Sequence, residues 1–271
     1  MYRTIILMSL SLFILIIAYH VSSSPLILSE FSHVMIDFLT VLFSIAILKT
    51  IGKNETREGK YTYGLHRLEV VVAIANIFVI IFLSVIVAYI SIISLIRGVL
   101  DNSIVLIITS AIAAILTFFA KPKEKDDIGS RSVYVHILSD FLGYVIGIIT
   151  GALILFIGLR ELDPIGALIL VLLNVSFSVP LLKESFLIFM EGSPVKIDDV
   201  QNELAKISPN IHHLHIWSIC NHMRVATLHV KVPPNLTIAE ADDMRNSIYK
   251  VLKEKYNISH ITVQFETDAH D

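Results

Sequence analysis

FSHVMIDF, residues 31–38, sets His33 and Asp37 four positions apart inside an apolar run that extends from 25 to 48. A run of this length and composition reads as a membrane-spanning helix, which needs roughly 20 mostly apolar residues. On a helix, residues four apart lie one above the other on the same face, so the imidazole and the carboxylate converge. A charged side chain at the centre of a bilayer helix costs about 2.5–3.5 kcal/mol on insertion scales. VYVHILSDF, residues 133–141, repeats the spacing with His136 and Asp140 in another apolar run. One such pair is equally well read as a hydrogen bond within its own helix. Two pairs at one spacing, with no Lys or Arg beside them, point to a shared site for a divalent cation or for protons. Two imidazoles and two carboxylates suit the tetrahedral coordination of zinc. The HExxH arrangement of zinc proteases is absent.

Working outward, the composition agrees. Of 271 residues 55% are hydrophobic and 17% charged, and the mean hydropathy is +0.74. A soluble domain carries about a quarter charged residues, so this chain reads as an integral membrane protein in a lipid bilayer. The net charge of −3 gives no sign of a nucleic-acid partner, and the single cysteine, Cys220, excludes an intrachain disulfide or a Cys-rich metal cluster. Six segments are long and apolar enough to span: 4–20, 25–48, 68–96, 103–120, 133–158 and 164–182. The first is read as a retained span, because only Arg3 precedes it and Ser22-Ser23-Ser24 is a poor cleavage site. Lys49, Lys53, Arg57, Lys60 and Arg67 fall between spans two and three, and Lys121, Lys123, Lys125 and Arg131 between spans four and five. The positive-inside rule makes these loops cytoplasmic. Six spans then leave both termini in the cytoplasm.

Smaller signals set expectations for the spans. Asp163 and Pro164 read as the cap and first residue of span six, and Pro180 as a kink or stop near its end. Glu30, one turn before His33, is expected to face the lipid headgroups. Asn174, Ser176 and Ser178 are expected to hydrogen-bond between helices.

From Lys183 the composition becomes that of a soluble domain, so the chain divides into a transmembrane domain, 1–182, and a cytoplasmic domain, 183–271. IDDVQNELAKI (197–207) and TIAEADDMRNSIYKVLKEKY (237–256) have helical periodicity, and Thr237 with Glu240 fits a capping box. HLHIWSI (213–219), MRVATLHVKV (223–232) and ISHITVQFE (258–266) alternate like strands. The expected fold is therefore a membrane all-α six-helix domain followed by a small α+β domain in the order αββαβ. A sheet with helices on one face leaves the other uncovered, which a homodimer would remedy.

These motifs together resemble the cation diffusion facilitator family of divalent-metal transporters. The likeness rests on the paired HxxxD, on YTYGLHRLEVVVAIAN (61–76), on LDPIGALIL (162–170), and on HLHIWSI with HITVQFE in the tail. The resemblance implies a homodimer with a ferredoxin-like cytoplasmic domain, which exports metal in exchange for protons. It implies that His33, Asp37, His136 and Asp140 form the transport site. Zinc is the expected substrate, with cadmium, cobalt and nickel as further candidates, and no organic cofactor is expected. The expected location is the cell membrane. Arg67 is expected to pair with Glu191, as in the family's charge clasp. The second site that some bacterial relatives carry after span two lacks its ligands here; His66 and Glu58 are what remains. His212, His229 and Glu266 match the family's regulatory metal positions in the tail, with Gln264 standing at a usual His position. Strand alternation puts His229, Gln264 and Glu266 on the outer face of the sheet but gives His212 the parity of the inward Leu214 and Ile216. A gated cation channel and a membrane-tethered metal sensor are the alternative readings. An intramembrane metalloenzyme would need an open metal position, which four protein ligands would close.

Overall fold

The computed structural model describes residues 2–54, 61–98, 103–120 and 130–268; within these, the side chains of 2–4, 44–45, 47–54, 120 and 130–140 are outside the description. The basic positions Arg57, Lys60, Lys121, Lys123 and Lys125, and Glu58, lie outside the described residues. Six apolar helices come first: α1 (Tyr2–Ser22), α2 (Pro25–Asn54), α3 (Arg67–Arg97), α4 (Ser103–Ala120), α5 (Ser130–Ile157) and α6 (Leu162–Phe189). Among the described residues α1, α2, α3 and α6 are long and apolar enough to cross a membrane, and Ser103–Phe119 and Phe141–Ile157 are shorter apolar helices. The chain is a multi-pass membrane protein. An α/β tail follows: α7 (Ile197–Leu204), β1 (Ile211–Cys220), β2 (Met223–Lys231), α8 (Ile238–Tyr256) and β3 (His260–Glu266).

Two compact units result, Met1–Ala46 with Ala75–Leu181, and Ile47–Ile74 with Leu182–Asp271. The second unit thus holds the tail together with the facing ends of α2 and α3. In the first unit α4 packs against both α1 and α5. Close approach of α5 depends on two glycines a turn apart. A Cβ at Gly147 would stand 2.3 Å from both Glu30 Oε1 and Ser110 Oγ, and one at Gly151 would stand 2.6 Å from the Ile107 side chain. This is the small-xxx-small pattern of packed membrane helices. Leu15, Leu26, Ile27, Leu106 and Ala167 fill the interior, while Phe78, Phe82, Tyr89 and Ile96 of α3 are exposed, as a lipid-facing surface requires.

Asp163 plays a different part from the one its sequence position suggests. It lies in the first turn of α6, and its Oδ1 accepts from Ser24 Oγ (2.9 Å) and from the Leu26 backbone N–H (2.9 Å). Ser24 Oγ in turn accepts from the Ile27 N–H at 3.2 Å. Ser24 is thus the N-cap of α2 and Pro25 its first residue, and Asp163 supplies the second acceptor from another helix. Nor does α6 stop at Pro180; it continues to Phe189, since a membrane helix tolerates the lost hydrogen bond where neighbours compensate. It ends with Glu191 in the left-handed conformation (φ 58°) and the Gly192 N–H on the Leu187 carbonyl at 2.8 Å. Ser178 bonds within its own helix, to the Asn174 carbonyl, rather than between helices.

In the second unit the sheet order is β1-β2-β3, with β1 and β2 antiparallel and β2 and β3 parallel, α8 making the crossover. The two tail helices and the inner sheet face bury Val200, Leu204, Ile216, Leu228, Val230, Ile248 and Leu252. The capping box is present at Thr237 and Glu240, and Asn257 in the left-handed conformation closes α8. Arg67 Nη2 donates to Glu191 Oε1 at 2.5 Å, pairing the start of α3 with the end of α6.

Candidate metal centres

His33 and Asp37 project from one face of α2, with Nε2 and Oδ2 3.8 Å apart and side chains only 23% and 9% exposed. His33 borders a small cavity with Ser29, Glu30, Gly143, Tyr144, Leu170 and Asn174, and a second with Ser84 of α3 and Asn174. Asp37 borders a third with Ser11, Thr117 and Tyr144. Tyr144 is held there by a 3.0 Å hydrogen bond between its hydroxyl and that of Thr117. The order of the contacts makes α2 and α5 antiparallel: Glu30 meets Gly147, whereas His33 and Asp37 meet Tyr144. His136 and Asp140 belong to α5, with side chains outside the described set. Their positions precede Tyr144 by eight and four residues, which is the same helical face.

Glu30 does not face headgroups. It is 3% exposed, and its Oε1 accepts from Ser110 Oγ at 2.7 Å. Its Oε2 is buried with no hydrogen-bond partner among the described residues. Positions 30, 33 and 37 follow the i, i+3, i+7 stripe of a single face. That periodicity is the signal that puts Glu30 beside His33, whereas its nearness to the helix end suggests the headgroups. Asn174 and Tyr144, which line the cavities, carry no comparable signal.

In the second unit the three tail residues come together. Their ligand atoms all lie within 4.8 Å of one another. His212 Nε2 is 2.8 Å from Glu266 Oε1, and His229 Nδ1 is 3.4 Å from Glu266 Oε2. Register accounts for it: His212 pairs with His229 across β1 and β2, and Lys231 with Glu266 across β2 and β3. The parity objection to His212 disappears at an irregularity between His212 and His215, where His213 has φ 49°. The extra residue reverses the alternation. Ile211 is therefore inward together with Leu214 and Ile216, and His212 is outward. The Asn210 carbonyl accepts from His212 Nδ1 at 3.2 Å, which leaves Nε2 turned towards Glu266. His212 Nε2 and Glu266 Oε1 are buried with no hydrogen-bond partner of good geometry among the described residues, and they face a common point. Gln264 Nε2 donates to Glu266 Oε2 at 3.4 Å and steadies the carboxylate.

A bundle of apolar helices that holds an internal His/Asp pair is thus joined to a small α/β domain. Residues 1–190 match the family model of the cation efflux transmembrane domain, and 193–268 that of the cation efflux protein cytoplasmic domain. The chain belongs to the cation diffusion facilitator family. It is 30% identical to a cadmium, cobalt and zinc/H(+)-K(+) antiporter of Bacillus subtilis, over 92% of this chain and 83% of the relative. It is 29% identical to the zinc transporter ZitB of Yersinia pestis, over 90% and 80%. It is 24% identical to the proton-coupled zinc antiporter SLC30A2 of Mus musculus, over 94% and 74%.

Proposed function

We propose that this protein is a proton-coupled antiporter that exports divalent cations, zinc foremost, from the cytoplasm through His33, Asp37, His136 and Asp140. The observation that carries the reading is the inward His33–Asp37 pair, which borders cavities shared with the Tyr144 face of α5. A divalent ion needs neutral imidazole and ionised carboxylate, so binding displaces protons and reprotonation ejects the ion. Cadmium and cobalt share the ligand preference, and the relatives named for them support that range. Glu30 adds a carboxylate oxygen one turn further along the same stripe, where it can hand the ion or a proton onward. The chain is read as a homodimer in the cell membrane with both termini cytoplasmic. The family's dimerisation-type cytoplasmic domain and the Arg67–Glu191 clasp support that assembly. The tail, from 183 onward, then senses metal through His212, His229 and Glu266.

Zinc flux into proteoliposomes, with and without an imposed pH gradient, tests the proposal. Flux that saturates, responds to the gradient and disappears in Asp37→Ala and Asp140→Ala is expected. Flux that persists in either variant removes the site. Flux indifferent to the gradient replaces the antiporter with a channel.

A further inference from the structure

Glu69, Cys220 and His222 form another mixed-donor cluster, and the transport reading makes no use of it. One ligand atom from each lies within 4.8 Å of the others, and His222 Nδ1 is 3.9 Å from Glu69 Oε2. Glu69 sits in the first turn of α3, Cys220 ends β1, and His222 is in the two-residue turn before β2. All three belong to the second unit. A register shift between Ser218 and Cys220 sets the end of β1 against Met223. The thiol is buried (1% exposed), whereas the His222 side chain is 85% exposed. Arg67, two residues from Glu69, is engaged by Glu191.

We propose that Glu69, Cys220 and His222 bind a zinc-like divalent cation at the foot of α3. A sulfur, an imidazole nitrogen and a carboxylate oxygen are the three donor types that zinc takes. The hard cations magnesium and calcium prefer oxygen throughout. Three protein donors leave one tetrahedral position for water, and the exposed side of His222 admits it. Two donors come from the β1–β2 hairpin and one from a helix that continues into the first unit. Filling the site therefore ties the sheet to the start of a spanning helix, which gives metal in the surrounding solution a hold on α3 separate from His33 and Asp37.

The chain has one cysteine, so any thiolate-to-metal signal reports this site alone. The full-length protein, reduced and in detergent, is titrated with cobalt(II). A saturable thiolate-to-cobalt charge-transfer band in the near ultraviolet is expected, bleached by added zinc. Cys220→Ser removes the band. His222→Ala and Glu69→Gln each weaken cobalt affinity at least about tenfold, as loss of even an outer-shell partner does. The exposed His222 can be replaced without disturbing the fold. The double variant His212→Ala/His229→Ala keeps the band. Absence of the band in the parent protein, or a band of unchanged affinity in His222→Ala and Glu69→Gln, overturns the proposal.

Discussion

His33 and Asp37 meet because one helix separates them by four residues, whereas His212, His229 and Glu266 meet across three strands. The first cluster is local and needs only a helix to exist. The second needs antiparallel and parallel pairing, both registers, and an irregularity at His213. The two also differ in what protects them. The membrane pair is enclosed by neighbouring helices, with Gly147 allowing the approach, while the tail cluster lies on the open face of a sheet. Local construction is robust to changes elsewhere; assembled construction makes metal binding depend on the whole domain being folded.

Moving one ligand by a single position tests each construction in its own terms. In α2, exchanging Asp37 and Phe38 rotates the carboxylate by about 100° around the helix. Zinc flux in proteoliposomes is expected to fall to the protein-free level while the protein stays folded. Replacing Gly147 with Leu drives a side chain into Glu30 and Ser110. Overpacking of this kind costs about 1–3 kcal/mol, to be seen as a lower melting temperature in detergent together with reduced flux. In β1, exchanging Ile211 and His212 carries the imidazole to the inner face of the sheet. Zinc affinity of the tail, measured by titration in an Asp37→Ala background, is expected to drop at least about tenfold. Unchanged affinity would mean that His212 is not a ligand.

How much of this was legible in the sequence follows the same division. The six apolar helices, the αββαβ order and the Thr237/Glu240 capping box depend on spacing within a segment, and they stand where the pattern puts them. Asp163 capping α2 instead of α6, and His212 turning outward, depend on partners 137 residues away or on an irregularity that no periodicity announces. Glu30 lies between these cases. Its phase was readable, but its burial depends on a glycine in α5.

Smaller effects belong to the surface of the tail. Thr237→Ala removes the cap of α8, at a cost of about 1 kcal/mol, measurable by urea unfolding followed by circular dichroism. Lys206 and Lys255 both hydrogen-bond Glu203 and lower its carboxyl from 4.5 to about 2. A lowered carboxyl contributes stability above its unfolded value, and that contribution is lost as pH falls from 4.5 towards 2. Both lysine partners of Glu203 are exposed, so salt should erase most of the difference between the parent and Glu203→Gln in acid unfolding.

The cap that Asp163 gives to α2 has a mechanical consequence. The first turn of the helix that bears His33 and Asp37 is fastened to α6 through Ser24 and Leu26. Those bonds are buried, where breaking them is costly. The joined ends of α2 and α6 therefore travel together, like two staves held by one pin. Any opening that exposes His33 to one side or the other must swing this pair against α3 or α5, or bend α2 below the pin.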